Sequence, residues 1–334
     1  MQFVPGPSPR AGIAQAVVHC ALYAAPAGSD RGLGTAARPF ESPQRLIDAL
    51  RPGETGCLRG GVYRGDITVA RGGEPGRPLT LTSYPGERAR VVGRLYIRPT
   101  AHDLAFVRLG LDGRNLLALP SPTVYGKDVS FYGDDVTNGH STICFDLGEA
   151  GGFVARSIWI ERSVIHDCGR LPADNHEHGI YVENTRNVRI AWNLIYGNAD
   201  RGIQLYPDAQ RTSVVHNVIY GNGEGILFSG GLGTASSGAL VAHNIISESN
   251  VRSNVESWYP RGNPKGTHNT VTDNCIGVSS DTPVNQSGGG FDASHNLLVE
   301  PSFANAAAHD FRFLAGSPCQ HVVGDVSSAV ASAI

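Results

Sequence analysis

The sequence predicts an all-β chain wound as a single-stranded parallel β-helix, a solenoid of about eight to ten coils. Three observations carry this expectation: an internal repeat, alternating apolar residues inside each repeat, and a turn-dense composition. From residue 100 one phrase recurs, as in "RSIWIERSVI", "RNVRIAWNLI", "RTSVVHNVIY" and "GALVAHNIIS": a short β segment, a polar residue, then a second β segment. The polar position falls at Leu109, Asp134, Ser163, Asn193, Asn217, Asn244, Asn274 and Asn296, with steps of 25, 29, 30, 24, 27, 30 and 22 residues. A period in the twenties with Asn at a fixed bend suits stacked coils whose apolar side chains point inward. A β-sandwich would need hairpin signals every 8–12 residues or so and has no reason to repeat this phrase. With 42 glycines, one methionine and only 17% charged residues, the composition fits turns and strands better than helices.

The elements follow in chain order. Residues 1–19 read as a poorly structured segment, and the start lacks the basic and apolar regions of a signal peptide. Within a cap at about 38–52, Pro43 to Leu50 forms a short amphipathic helix, which would cover bare strand edges at the open end. Coils then run from about 55 to 300 in a single domain, and residues 300–334 are expected to close the far end. Six cysteines without zinc spacing favour disulfides, hence a secreted or extracytoplasmic protein. Pairing between neighbours is expected: Cys20–Cys57, Cys144–Cys168 and Cys275–Cys319. A net charge of −3 leaves no electrostatic footprint for nucleic acid, and no apolar run is long enough to span a membrane. A monomer is expected.

The opening "YAAPAGSDRGLGTAARPFESPQRLIDALRPGETGCLRGGVYRGDITV", followed by "PLTLTSYPGERA", resembles secreted right-handed parallel β-helix proteins of the pectate-lyase-like group. That group includes polysaccharide lyases and mannuronan C5-epimerases. The resemblance implies an exported enzyme acting on a uronate-containing polysaccharide, most readily by β-elimination, or by C5 epimerisation after the same proton abstraction. It is specific for the fold and weak for the reaction, because one solenoid hosts several chemistries. "DNHE" resembles the epimerases' Asp-Pro-His-Glu motif at Asp174, His176 and Glu177, with Asn175 in place of proline.

The repeat places candidate residues in columns. "HGIYVE", "RGIQLY" and "EGILFS" align on Gly179, Gly202 and Gly225, each 23 residues apart. If Ile180, Val182, Ile203, Leu205, Ile226 and Phe228 point inward, three columns point outward. These are His178/Arg201/Glu224, Tyr181/Gln204/Leu227 and Glu183/Tyr206/Ser229, with Arg252 joining the first from the next coil. Proton abstraction beside a carboxylate needs a base and a neutralising charge. His178 or His176 suits the base, Arg201 the neutraliser, and Tyr181 or Tyr206 the second proton donor. Glu183 joins this catalytic set, while Gln204, Glu224, Asp208 and Arg252 are expected to bind substrate.

Other readings stand beside this one. Asp174, Glu177 and Glu183 are oxygen ligands that leave Ca²⁺ open as a cofactor, although no calcium-loop motif is present. Trp258, Tyr259 and Lys265 could meet sugar rings and acidic groups, or fill a loop. Lys127 is a second, lower-ranked base. Glycoside hydrolysis would pair Glu183 with Glu224 or Asp208. A non-catalytic carbohydrate-binding solenoid remains the rival of another class.

Overall fold

The computed structural model describes residues 18–324, so most of the segment expected to be poorly structured lies outside the described residues. Each coil lays down three short strands that pair in parallel with their counterparts one coil away. One coil reads Lys127–Tyr132, Asp135–Thr137 and Phe145–Leu147; the next begins at Ala155–Glu161 and continues at Val164–His166. These positions define a first, second and third face. The second face is a ten-stranded parallel sheet, while the first and third join where strands such as Ile180–Ala191 run through the turn between them.

Strand alternation sends one set of side chains into the tube, where like stacks on like. Phe106 lies over Phe131 with ring centroids 5.1 Å apart, and Phe145 meets Phe131 edge-on at 4.9 Å. Ile158, Val188, Val214, Val241 and Val271 are fully buried in the same core. The helix Pro43–Ala49 covers the first coil as expected. Ser42 caps it by accepting the Arg45 backbone N–H, and Leu46 and Ile47 face the core.

The asparagine positions form a ladder between the first and second faces. Asn217 Oδ1 accepts the Asn193 backbone N–H at 2.9 Å and the Asn193 side-chain amide at 3.0 Å. The Asn217 amide in turn donates to the Ile190 carbonyl and to Asn244 Oδ1, both at 2.9 Å. Asn244, Asn274 and Asn296 continue the series, and Ser163 and Asp134 extend it upstream. A shorter ladder at the next bend was not anticipated: Asn198 donates its backbone N–H and its side-chain amide to Asn222 Oδ1.

Three disulfides join Cys20 to Cys57, Cys144 to Cys168 and Cys275 to Cys319. Residues 303–323, expected to close the end, lie along the second face instead. Phe303, Phe311 and Val323 pack on an outward apolar stripe made by Val164, Leu194, Val218 and Ile245. That stripe is why the tail runs sideways, since a solenoid side wall with apolar outward residues needs cover. Replacing Asn217 with Ala should strand the Asn193 N–H and lower unfolding free energy by about 2 kcal/mol. Denaturant midpoints compared with wild type would check this.

Candidate active site

The third face has the register read from the glycines. Tyr181 pairs with Gln204, Gln204 with Leu227, and Arg201 with Glu224. The glycines are there because the neighbouring coil comes close. A Cβ on Gly225 would lie 2.2 Å from the Asn254 carbonyl oxygen, and one on Gly179 would lie 2.9 Å from that of Gly202. The Glu183/Tyr206/Ser229 column is broken. Val182 pairs with Leu205 but Asn184 with Asp208, so one strand holds an extra residue beside Glu183. Val255 pairs with Ile226, which puts Arg252 one residue off the Glu224 position; it is exposed and lies 3.7 Å from Glu256.

The column expected to be the exposed catalytic stripe is largely buried. His178 is 1% exposed, and its Nδ1 has no partner. Burial, then the charge of Arg201, holds its imidazole well below the usual histidine range, so it is neutral at physiological pH. Arg201 does not wait for a substrate carboxylate. Its Nε donates to Glu224 at 2.8 Å and its Nη1 to Gln204 at 2.8 Å; Nη1 also donates to the Asn175 carbonyl and Nη2 to Asn175 Oδ1. Burial pushes Glu224 up to about 7 even against this arginine. The knot ties the Asn175 loop to the third face. The roles assigned to His178 as exposed base and Arg201 as free neutraliser are therefore corrected: Glu224 and Gln204 on the aligned strands, with Asn175 from the preceding loop, occupy the guanidinium, and His178 is buried.

The loop before it is fixed by Asp200, which accepts the backbone N–H groups of Asn175, His176 and Glu177. His176 is exposed on this loop, away from the strand. Glu177 pairs with Arg170 at 2.7 Å, and Asp174 lies 4.0 Å from the same guanidinium. Glu183 is held elsewhere, by Asp146. The proposed calcium trio is thus dispersed, two members being engaged by one arginine. Among the described residues no three His, Cys, Asp or Glu side chains form a metal-holding group.

One coil toward the N-terminus the third face places Asp146, Tyr125 and Arg94, which the sequence reading missed, near Glu183, which it named. Asp146 pairs in register with Tyr181, and its carboxyl group lies near enough to Glu183 for each to influence the other's proton affinity. Burial and then the neighbouring Glu183 charge push Asp146 well above the usual carboxylate range. Glu183, half-buried, is pushed up to about 7 by burial, while the Ala150 backbone N–H supports its charged form. Tyr125 reaches the Asp146 carboxyl, and Arg94 lies close enough to favour its ionisation. Arg94 donates to Thr123 at 3.1 Å and stacks over Tyr96.

Aromatic rings line this part of the face. Tyr96 meets Tyr125 edge-on at 5.7 Å, Tyr125 tilts over Phe153 at 5.6 Å, and Tyr181 stacks toward Tyr206 at 6.4 Å. His178 touches the Tyr181 ring edge-on at 5.3 Å from within. The row from Tyr96 to Tyr206 crosses four coil spacings, about 19 Å. Asp146 is not marked by the repeat because its coil reads "CFDLG", with Phe145 and Leu147 inward but Cys144 where the later coils have glycine. Extending the alternation one coil upstream would have found it.

The remaining candidates do not join this cluster. Asp208 pairs with Arg186 at 2.8 Å on the turn toward the first face, so neither Asp208 nor Glu224 is the carboxyl partner of Glu183. Trp258 is exposed at the end of the strand Val255–Trp258 on a later coil, and in the loop that follows Lys265 is exposed and Tyr259 half-buried. Lys127 is exposed on the first face.

The profile of the family described as "right handed beta helix region" matches residues 124–297, more than half of the chain. The chain belongs to this family. Pectate lyase PEL9 of Emericella nidulans is 35% identical over 80 residues, which is 23% of this chain and 20% of that protein. The uncharacterised protein YwoF of Bacillus subtilis is 32% identical over 72 residues, 22% of this chain and 15% of that one. The matched stretches thus span a fifth or less of these relatives. Among solved structures, pectate lyase Pel9A superposes with a TM-score of 0.71 at 14% identity, covering 92% of both chains. The complex of XylC with xylose gives 0.51 at 12% identity, over 78% of this chain and 69% of that one. These likenesses establish the solenoid shared by all of them.

Two outcomes follow from the geometry. Arg201→Ala should cost about 3 kcal/mol or more of stability, since Glu224 is left buried without its partner. A fall in the urea midpoint checks it. The second concerns pH. Glu183 binds its proton more tightly in the folded protein than when unfolded, from the ordinary 4.5 up to about 7. Its contribution therefore makes stability decline as pH rises between these values. Glu183→Gln, which stays neutral, should flatten that slope in denaturation midpoints measured across pH 4–8 or so.

Proposed function

We propose that this protein is an exported carbohydrate-active enzyme that holds a polysaccharide along the third face and runs acid–base chemistry at Asp146 and Glu183. The observation that supports the reading is the Asp146 and Glu183 carboxyl groups brought to neighbouring coils of one face in a row of aromatic rings, with burial pushing Glu183 up to about 7. A group poised near neutral pH can both take and return a proton. The rings offer flat apolar surface for sugar rings. Three disulfides and no free cysteine among the described residues support an oxidising compartment.

β-Elimination in a uronate-containing polymer is the favoured reaction. Glu183 would take the C5 proton, Arg94 would offset the sugar carboxylate, and the proton held by Asp146 would be available to the leaving oxygen. Similarity to proteins named pectate lyases supports this choice. Epimerisation shares the first step. Glycoside hydrolysis is the second reading, since the face carries two carboxyl groups; it would need them about 5 Å or more apart, flanking the scissile bond.

Incubation with polygalacturonate, alginate and neutral glucans separates these. Ultraviolet-absorbing unsaturated ends mark elimination, whereas new reducing ends without that absorbance mark hydrolysis. Glu183→Gln and Asp146→Asn should each lower turnover by about 10²–10⁴-fold. Full turnover in both variants would remove the pair from the chemistry.

A further inference from the structure

We propose that the first face carries a second carbohydrate-binding surface, which takes an acidic polysaccharide through Lys127, Arg156 and Trp159. The register places Lys127 between His102 and Arg156, and Arg156 next to Arg186. Four consecutive coils thus present a basic or imidazole side chain at one position, with neighbours about 4.8 Å apart. Like charges directly opposite one another cost stability, so such a column has no folding rationale of its own.

The two ends of the column are quenched. His102 Nδ1 meets Asp103 at 3.0 Å, and Arg186 meets Asp208 at 2.8 Å. The two central members are exposed, and neither side chain has an ion-pair partner among the described residues. Beside them a cleft of about 1150 Å³ opens on the same face, with His102, Arg108, Lys127, Asp128 and Trp159 in its lining. Trp159 is half-buried and stands in the outward position between Ser130 and Arg189 of the adjoining coils. An indole face fits the apolar face of a pyranose ring, while the unpaired cations fit carboxylate or sulfate groups on neighbouring sugars. A sugar polymer advances by roughly one coil spacing per residue, so a chain running along the solenoid axis could meet Lys127 and Arg156 in turn. Glu54, Asp103 and Asp128 also line the cleft, so the unpaired cations at its edge, rather than the cleft as a whole, are what an acidic polymer would meet.

The inference borrows only the polymer class from the proposed function, and its test reads different residues. Affinity electrophoresis of the full chain bearing Glu183→Gln, in gels containing polygalacturonate, alginate or chondroitin sulfate, measures binding without turnover. We expect retardation by at least one of these polymers and none by neutral dextran. Lys127→Ala/Arg156→Ala should reduce it at least threefold, and Trp159→Ala should also reduce it. Because Lys127 and Arg156 are exposed, their removal leaves the core intact, and the double variant on the wild-type background should still cleave short oligosaccharides normally. Undiminished retardation in the double variant, no retardation by any acidic polymer, or equal retardation by single-stranded DNA would overturn the proposal. Loss of the proposed function would appear instead as unchanged turnover in Glu183→Gln.

Discussion

Coil-on-coil registration is the constraint on which everything else in this protein depends. A parallel strand satisfies its backbone only if its neighbour lies in register, and here each strand's neighbour is the same segment one coil away. Once the register is set, inward side chains must match inward side chains, as the Phe106–Phe131–Phe145 stack does. Bends carry the main difficulty, because backbone groups leave the sheet there and are buried. Asn193, Asn217, Asn244 and Asn274 solve it with one side chain that both accepts and donates between coils.

The same registration builds the sites. Residues far apart in sequence become neighbours across a rung, so Asp146 meets Tyr181 and Glu183 without any local motif. The low-dielectric wall behind the third face then separates chemical fates. Burial raises both Glu183 and Glu224 to about 7, but Glu183 stands half-exposed beside Asp146 whereas Glu224 is enclosed against Arg201. On the first face registration aligns Lys127 with Arg156 in the open, without an ion-pair partner among the described residues. One rule therefore yields a proton-handling groove, a structural knot and a charged surface, depending on what flanks each column.

Turn insertions set the limits of this rule. The loop from Arg170 to Glu177 enters between the second and third faces and delivers Asn175 onto Arg201. The tail beyond Phe303 covers the second face, held by Cys275–Cys319, so that face is not available to a ligand along Val164, Leu194, Val218 and Ile245.

The sequence alone determined the solenoid, its inward residues, the asparagine ladder, the capping helix and the pairing of Tyr181 with Gln204. All of these recur with the coil period, and periodicity is a local property that a reader can align. It also brought Tyr181, Glu183 and Tyr206 to one face, though not the extra residue beside Glu183, because neither Glu183 and Asn184 nor Pro207 and Asp208 supply a Val, Leu, Ile or Phe to mark the change of phase. Only the tertiary structure decided which polar residues are exposed. Arg201 and His178 look like free functional groups in the columns, yet a loop outside the repeat buries the first and the coil's own packing buries the second. Asp146 looks ordinary in sequence and becomes the partner of Glu183 only through a rung contact across 37 residues. Burial and partner choice depend on aperiodic segments, and those are what the repeat could not encode.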